Sequence, residues 1–191
     1  CVTTDGINAF VDCDGDCIIH AEFNDSPFSA DKNRTVFQKV VDLGKYVNPT
    51  LYTAKSAILA KEAMADSMNR LKEEKDNIDR MKAIYSKTQQ TIFNFWEKGV
   101  RLLAGSDSGF GYYPFGHFYN ELIELQHAGI PIMEVIKMAT INPAKYMNRD
   151  DIGRLAVGAR ADLAVFQGNV TNNILALKQI KAVYKKGCRI V

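Results

Sequence analysis

The carboxylate of Asp107 lies at the end of an apolar segment, LLAGSDSGFG (residues 102–111), among glycines and serines. An aspartate at the carboxyl end of a barrel strand is well placed to bind a metal ion or to move a proton for a reacting water. Glycine, serine and aspartate also favour turns, because of their backbone freedom and local hydrogen bonding. The segment taken alone therefore favours a turn over a functional site, and its context must decide.

A histidine occupies the equivalent place in the segment CIIHA (residues 17–21), where an apolar run gives way to polar residues. A lone histidine in an apolar strand is often a hydrogen-bonded core residue. However, the carboxyl ends of barrel strands converge on one face, so His20 and Asp107 can share a metal ion there. Two ligands do not complete a zinc site, and the sequence offers no second histidine at a strand end.

The two remaining histidines are weaker candidates. His127 lies near a helix end, where a cationic imidazole interacts favourably with the helix dipole, so a structural role is favoured. His117 ends the loop FGYYPFGH, whose aromatic side chains either line a substrate pocket or pack the loop against its surroundings. We take Tyr113 and His117 as the candidate substrate contacts in this loop.

The elements that must position these residues alternate between short apolar runs and longer helical periodicities, which predicts an α/β fold with a parallel sheet. The predicted strands are residues 17–21, 45–53 and 100–109, and the tail is predicted to form short strands within 153–168 and 180–191. The predicted helices are 30–46 with an N-cap at Ser29 and a stop at Gly44, two within 54–98 broken near 73–77, and three at 118–129, 131–140 and 142–148.

Apolar residues recur at helical spacing through residues 54–98, at Met64, Met68, Leu71, Ile78, Met81 and Ile84. A methionine-rich stripe of this kind fits either a partner surface or a core face. Because methionine commonly fills gaps in cores, a core face is the favoured interpretation.

The composition is that of an ordinary globular protein, with 191 residues and a net charge of +2. The chain has no block of lysine and arginine that favours nucleic acid, and no apolar run near the ~20 residues of a membrane helix. The cysteines, Cys1, Cys13, Cys17 and Cys188, are spaced unevenly, which indicates reduced thiols in a cytoplasmic protein. A zinc site at Cys13 and Cys17 is disfavoured because no second pair has suitable spacing.

Three segments, DGDCIIHAEF, VNPTLYT and GVRLLAGSDSG, resemble in their order the second half of the amidohydrolase superfamily, nearest to its imidazolonepropionase-like and Xaa-Pro-dipeptidase-like branch. The resemblance continues through NELIELQHAGIPIMEVIKMATINPAKYM and IGRLAVGARADLAVFQGN, and so covers almost the whole chain. Its most specific part is the combination of Asp107 with the AT-NPA helix and the G-L-GA-ADL strand.

The resemblance implies a distorted TIM-like (β/α)8 barrel with one or two divalent metal ions, commonly zinc, that activate a hydrolytic water. His20 matches the histidine that closes the sixth barrel strand and acts as a metal ligand or substrate contact. Asp107 matches the aspartate that closes the eighth strand, contacts the metal and carries protons between water and leaving group. Residues 1–152 would then be a partial barrel, and residues 153–191 the strands of a small composite β-sandwich.

The expected function is that of a metal-dependent amidohydrolase that cleaves a C–N bond in a cyclic amide or dipeptide-like small molecule. The family's His-x-His, its mid-barrel lysine and its fifth-strand histidine have no counterpart here, and the chain opens at Cys1 as if within a longer protein. We therefore expect the chain alone to be inactive, and its open sheet edges to favour a homo-oligomer. The alternatives are a truncated, non-catalytic domain that binds a partner, and an unrelated α/β domain in which Asp107 only makes a turn.

Overall fold

A three-stranded parallel sheet forms the centre of the structure, a computed structural model that describes residues 2–23, 30–68 and 72–191. Its strands are β1 (Cys17–Ile19), β2 (Tyr46–Asn48) and β3 (Arg101–Leu102), in the order β1-β2-β3. Ile18, Val47 and Leu102 are aligned across the sheet and buried on one of its faces. The residues that alternate with them face the other side, where Ile19 and Arg101 are exposed. The predicted α/β class with a parallel sheet is confirmed, although the described residues do not close a barrel.

The described part of the chain also contains seven α-helices. They are α1 (Thr4–Asp12), α2 (Ala30–Asp42), α3 (Leu51–Met68), α4 (Lys72–Glu97), α5 (Tyr119–His127), α6 (Ile132–Met138) and α7 (Ile141–Tyr146). The three helices predicted after the aromatic loop are confirmed as α5, α6 and α7. Helix α1 was not predicted, although Thr3 caps it by accepting a hydrogen bond from the Gly6 amide. The predicted N-cap Ser29 lies outside the described residues.

The predicted strand at residues 45–53 is wrong in its second half. Strand β2 ends at Asn48, and helix α3 begins at Leu51. Pro49 has no N–H group for the sheet, and Thr50 adopts a left-handed φ of 51°, so the chain leaves the strand direction at these two residues. The third strand is likewise shorter than predicted, because β3 ends at Leu102 and residues 103–110 form loop and turns.

The two helices predicted within residues 54–98 are present as α3 and α4, but the break predicted near residues 73–77 is misplaced, because α4 begins at Lys72 and runs through them. The packing of the α3–α4 pair confirms the predicted core face only in part. Ile78 is buried and Met81 packs against the core, whereas Met64 is 45% exposed. The side chains of Met68 and Leu71 lie outside the described residues. No helix of the described residues is long and apolar enough to cross a bilayer.

The tail forms a second sheet that is antiparallel. Its strands are β4 (Leu163–Phe166), β5 (Ile180–Lys185) and β6 (Cys188–Arg189), in that order. A 3-10 helix, Ile174–Lys178, joins β4 to β5 and contributes Ile174 and Leu177 to the core. The strands expected in the tail are therefore present, but residues 153–162 form turns and irregular chain where part of a strand was predicted.

Candidate active site

Each strand of the parallel sheet is followed by a residue in left-handed backbone conformation. These residues are His20 after β1, with a φ of 78°, and Thr50 after β2 and Asp107 after β3, each with a φ of 51°. A positive φ is uncommon outside glycine, and for a β-branched residue such as threonine it is an outlier. Backbone strain of this kind is concentrated at functional sites, so the carboxyl edge of this sheet is the candidate active site.

The imidazole of His20 is held in one orientation by β2 and the turn that follows it. Its backbone N–H donates to the carbonyl of Asn48 at 2.9 Å, and its Nδ1 lies 2.7 Å from Oγ1 of Thr50. The Thr50 hydroxyl donates its single proton to the carbonyl of Pro49 at 2.8 Å, so it accepts from Nδ1–H of His20. This arrangement leaves a lone pair on Nε2, the form in which a histidine binds a metal ion or accepts a proton.

The loop after β3 carries Asp107, which is exposed at the same edge. Ser106 shapes this loop, because its Oγ accepts a hydrogen bond from the Ser108 amide at 3.2 Å. Thr53 in the first turn of α3 donates to the carbonyl of Ser106, also at 3.2 Å. The segment after β2 therefore contacts His20 through Thr50, and it contacts the loop that carries Asp107 through Thr53. The strands that carry His20 and Asp107 are separated by β2, which corresponds to about 10 Å at ordinary strand spacing.

Asn48 is the last residue of β2, the strand between β1 and β3. Its side chain leaves no room for a side chain at Gly105. A Cβ atom built on Gly105 would lie 2.2 Å from Nδ2 of Asn48. The Oδ1 atom of Asn48 is buried and has no hydrogen-bond partner among the described residues. A buried acceptor without a donor is costly in a protein interior, so its presence at this edge is a second sign of function.

The two candidate substrate contacts are placed differently. Tyr113 is 1% exposed, and its hydroxyl donates to the carbonyl of His117 at 2.9 Å. Burial raises the pKa of the Tyr113 phenol, which therefore stays a neutral hydrogen-bond donor. His117 is exposed, with its Nδ1 2.9 Å from the hydroxyl of Tyr119. Tyr113 therefore makes a hydrogen bond within its own loop. Substrate contact by Tyr113 or His117 stays a prediction.

Sequence reasoning missed Glu121, which is fully buried in α5. Its two oxygens accept hydrogen bonds from the backbone amides of Leu51 at 2.9 Å and Tyr52 at 2.7 Å, the first residues of α3. Burial raises the pKa of this carboxyl to about 8, although the two amides favour its charged form. Glu121 thereby fixes the turn that presents Thr50 to His20. The available signal was two glutamates three residues apart in an otherwise apolar helix.

No group of three or more histidine, cysteine, aspartate or glutamate side chains is close enough to hold a metal ion within residues 2–23, 30–68 and 72–191. His20 Nε2 and the Asp107 carboxylate are donors of the type that zinc accepts, but they are two donors where a catalytic site has about three or more. The described residues are therefore consistent with part of a metal site and do not form a complete one.

Solved structures share this fold. A Xaa-Pro dipeptidase with methionine bound in its active site matches with a TM-score of 0.75 and 23% identity, over 98% of this chain and 42% of that chain. Molinate hydrolase matches with a TM-score of 0.71 and 20% identity, over 98% of this chain and 41% of that one. At these identities the likeness establishes the fold. This chain spans less than half the length of either protein.

The sequence itself establishes the family. The model of the amidohydrolase family matches residues 9–190, and pterin deaminase of Rhizobium rhizogenes is 33% identical over 70 residues, which are 36% of this chain and 16% of that enzyme. The chain therefore belongs to the amidohydrolase family, whose members are hydrolytic enzymes. The family resemblance stated from the sequence is confirmed.

Proposed function

We propose that this chain is the carboxyl-terminal part of a metal-dependent amidohydrolase that cleaves the C–N bond of a cyclic amide or dipeptide-like substrate. The observation that supports this function best is the arrangement of His20 and Asp107. Both follow strands of one parallel sheet, both lie at its carboxyl edge, and both have left-handed backbone conformations. The alternative that Asp107 only makes a turn in an unrelated domain does not explain this convergence or the family match.

In this proposal Asp107 is the proton carrier. Its exposed carboxylate accepts a proton from the attacking water and later donates it to the leaving nitrogen. His20 binds through Nε2 while Thr50 holds Nδ1, the arrangement by which a second group fixes the ring of a metal-binding histidine. A divalent metal, for which we propose zinc, supplies the Lewis acid that lowers the pKa of water when it is bound.

Donors beyond the described residues are needed to complete the metal site, because the described chain offers two. We therefore propose that the 191-residue chain alone does not hydrolyse amides, and that the activity belongs to a longer protein. A comparison of the isolated chain with the longer protein that contains it tests this point. Equal amide hydrolysis by the two preparations would contradict it.

The proposed roles are tested by replacing each residue in the longer protein. We expect Asp107→Asn to reduce kcat by about 100-fold or more with little change in fold, since general acid–base catalysis contributes that much. We expect His20→Ala to lower the metal content measured by elemental analysis. Asp76→Asn, which changes an exposed carboxylate on α4, is the matched control and should behave as wild type. Wild-type activity in Asp107→Asn would exclude the proposed role.

A further inference from the structure

A cavity of about 200 Å³ lies at the carboxyl edge of the sheet, between the start of α3 and the middle of α4. Most of its lining is apolar. The turn after β2 and helix α3 contribute Pro49, Thr50, Leu51, Ala54 and Ile58, while α4 contributes Met81, Ile84, Tyr85 and Thr88. Glu22, from the segment after β1, also lines it.

The cavity adjoins the candidate active site through Thr50. The same Thr50 side chain that lines the cavity accepts the hydrogen bond from Nδ1 of His20 at 2.7 Å. Glu22 lies two residues after His20 in the chain. The cavity and the surroundings of His20 thus have Thr50 in common.

The cavity walls are held in place by contacts that do not depend on a ligand. Leu51 is fixed by the hydrogen bond from its amide to Glu121. Tyr85 is fixed from the opposite helix, because its hydroxyl donates to Glu124 at 2.5 Å and burial keeps the pKa of this phenol above its ordinary value. Ile58 is only 2% exposed. A preformed apolar cavity binds an apolar group without the entropic cost of ordering its walls.

We propose that this cavity binds a compact apolar group of the substrate, such as the side chain of leucine or a phenyl ring, beside the amide that is cleaved. This inference rests on the proposed hydrolase function and specifies its substrate class. The volume supports it, because an apolar cavity of about 150 Å³ is enough to hold benzene.

Binding of 4-fluorobenzamide, followed by fluorine NMR in the longer protein, tests the cavity independently of catalysis. Ala54→Phe places a ring in the cavity and should weaken binding of this probe by about tenfold or more. Ala63→Phe adds the same ring on the same helix at an exposed position outside the lining, and should leave the dissociation constant unchanged. Equal binding by wild type and Ala54→Phe would overturn the inference, as would equal losses in both variants.

Hydrolysis of Gly-Pro, Ala-Pro and Leu-Pro distinguishes a failure of the proposed cavity from a failure of the proposed hydrolase function. We expect kcat/KM to favour Leu-Pro over Gly-Pro by about tenfold or more in wild type, and by about threefold or less in Ala54→Phe. An undiminished preference in Ala54→Phe would contradict the cavity as the determinant of specificity. Loss of probe binding in Ala54→Phe together with no hydrolysis by wild type would contradict the hydrolase function and leave the cavity as a binding site.

A second variant keeps the inference testable if Ala54→Phe does not fold. Ile58→Ala widens the same cavity by removing a buried side chain. We expect it to improve binding of 4-fluoro-1-naphthamide relative to 4-fluorobenzamide by about threefold or more. An unchanged ratio of the two dissociation constants would overturn the inference.

Discussion

Oγ1 of Thr50 accepts the Nδ1 proton of His20 across 2.7 Å while its own proton is donated to the Pro49 carbonyl. Thr50, which has a left-handed backbone conformation, thus favours the tautomer of His20 that carries its proton on Nδ1. Strain in the turn after β2 is offset by hydrogen bonds from Thr50 and, one residue later, from the Leu51 amide to Glu121. This turn connects β2 to α3 and is hydrogen-bonded to α5, so all three elements position Thr50 beside His20.

Replacement of Thr50 by valine keeps the β-branched shape and removes the acceptor for His20. We expect metal affinity and kcat of the longer protein to fall by about 10- to 100-fold, as is typical when the group that orients a ligand histidine is lost. Elemental analysis and steady-state kinetics measure the two effects. Thr91→Val, which removes a hydroxyl that bonds only the Lys87 carbonyl of its own helix, is the control and should leave both unchanged. Full metal affinity in Thr50→Val would show that His20 needs no such support.

Glu121 should make the protein less stable as the pH rises. Its pKa in the folded protein is about 8, above the ordinary value of 4.5, so the folded state holds a proton that the unfolded state releases between these values. The resulting stabilisation is complete below pH 4.5 and is lost as the pH rises through about 8. The contribution of this group falls by at most about 1.4 kcal/mol per pH unit.

Urea unfolding of wild type and Glu121→Gln from pH 5 to pH 8 measures this contribution as a difference in slope. The glutamine has no proton to release, so the unfolding free energy of Glu121→Gln should vary less with pH than that of wild type. Glu134→Gln, which alters a partly exposed glutamate that pairs with Lys137, should retain the wild-type slope. Parallel curves for wild type and Glu121→Gln would mean that Glu121 is charged throughout this range.

Gly105 should tolerate no side chain while Asn48 is present. Gly105→Ala brings its Cβ to 2.2 Å from Nδ2 of Asn48 and should lower the unfolding free energy by about 1–3 kcal/mol. Removal of the clash in the double variant Gly105→Ala/Asn48→Ala should recover part of this loss. Gly6→Ala, in the first turn of α1, brings its Cβ to 3.2 Å from Oγ1 of Thr3, a milder contact, and should cost less than Gly105→Ala. Urea unfolding checks these variants together with Asn48→Ala alone, and a loss in the double variant equal to the sum of the two single losses would show that the two residues do not interact.

The hydroxyl of Tyr85 is the hydrogen-bond donor to Glu124 in the interior. Tyr85→Phe leaves that buried carboxylate without this donor and should lower the unfolding free energy by about 1–3 kcal/mol. Tyr112→Phe, at an exposed position in the aromatic loop, should cost nothing measurable in the same unfolding experiment. Equal stability of the two variants would rule out a structural role for the Tyr85 hydroxyl.

The residues of the candidate site that could be predicted from the sequence are those at the ends of apolar runs. His20 and Asp107 both mark a change from apolar to polar sequence, and parallel strands bring such points to one edge. Thr50 gave no signal of this kind, because VNPTLYT has the composition of a strand and the helix begins inside it. The role of Glu121 depends on a contact with residues about 70 positions earlier in the chain, which no local pattern contains.

The expectations for α3 and α4 that the structure corrects are based on the local sequence pattern alone. The polar residues 73–77 favour a break in the sequence pattern, but α4 runs through them, and Ile78, which follows them directly, is buried. Tertiary burial rather than local composition supplies most of the stability of a helix in a protein. Met64 matches the helical spacing of the core residues and is nevertheless 45% exposed. The helical periodicity of the sequence predicts that α3 and α4 exist. Where α3 begins depends on tertiary contacts such as the hydrogen bonds from the amides of Leu51 and Tyr52 to Glu121.

The bond between Glu121 and the start of α3 also determines when the candidate site can form during synthesis. The turn that carries Thr50 emerges about 70 residues before the carboxylate that fixes it. Until α5 has been made and has docked, the amides of Leu51 and Tyr52 lack their acceptor, and the strained turn lacks the contact that holds it. Because local contacts form faster than contacts that close a long stretch of chain, we expect α3 and α4 to form before the edge that carries His20 and Asp107 is complete.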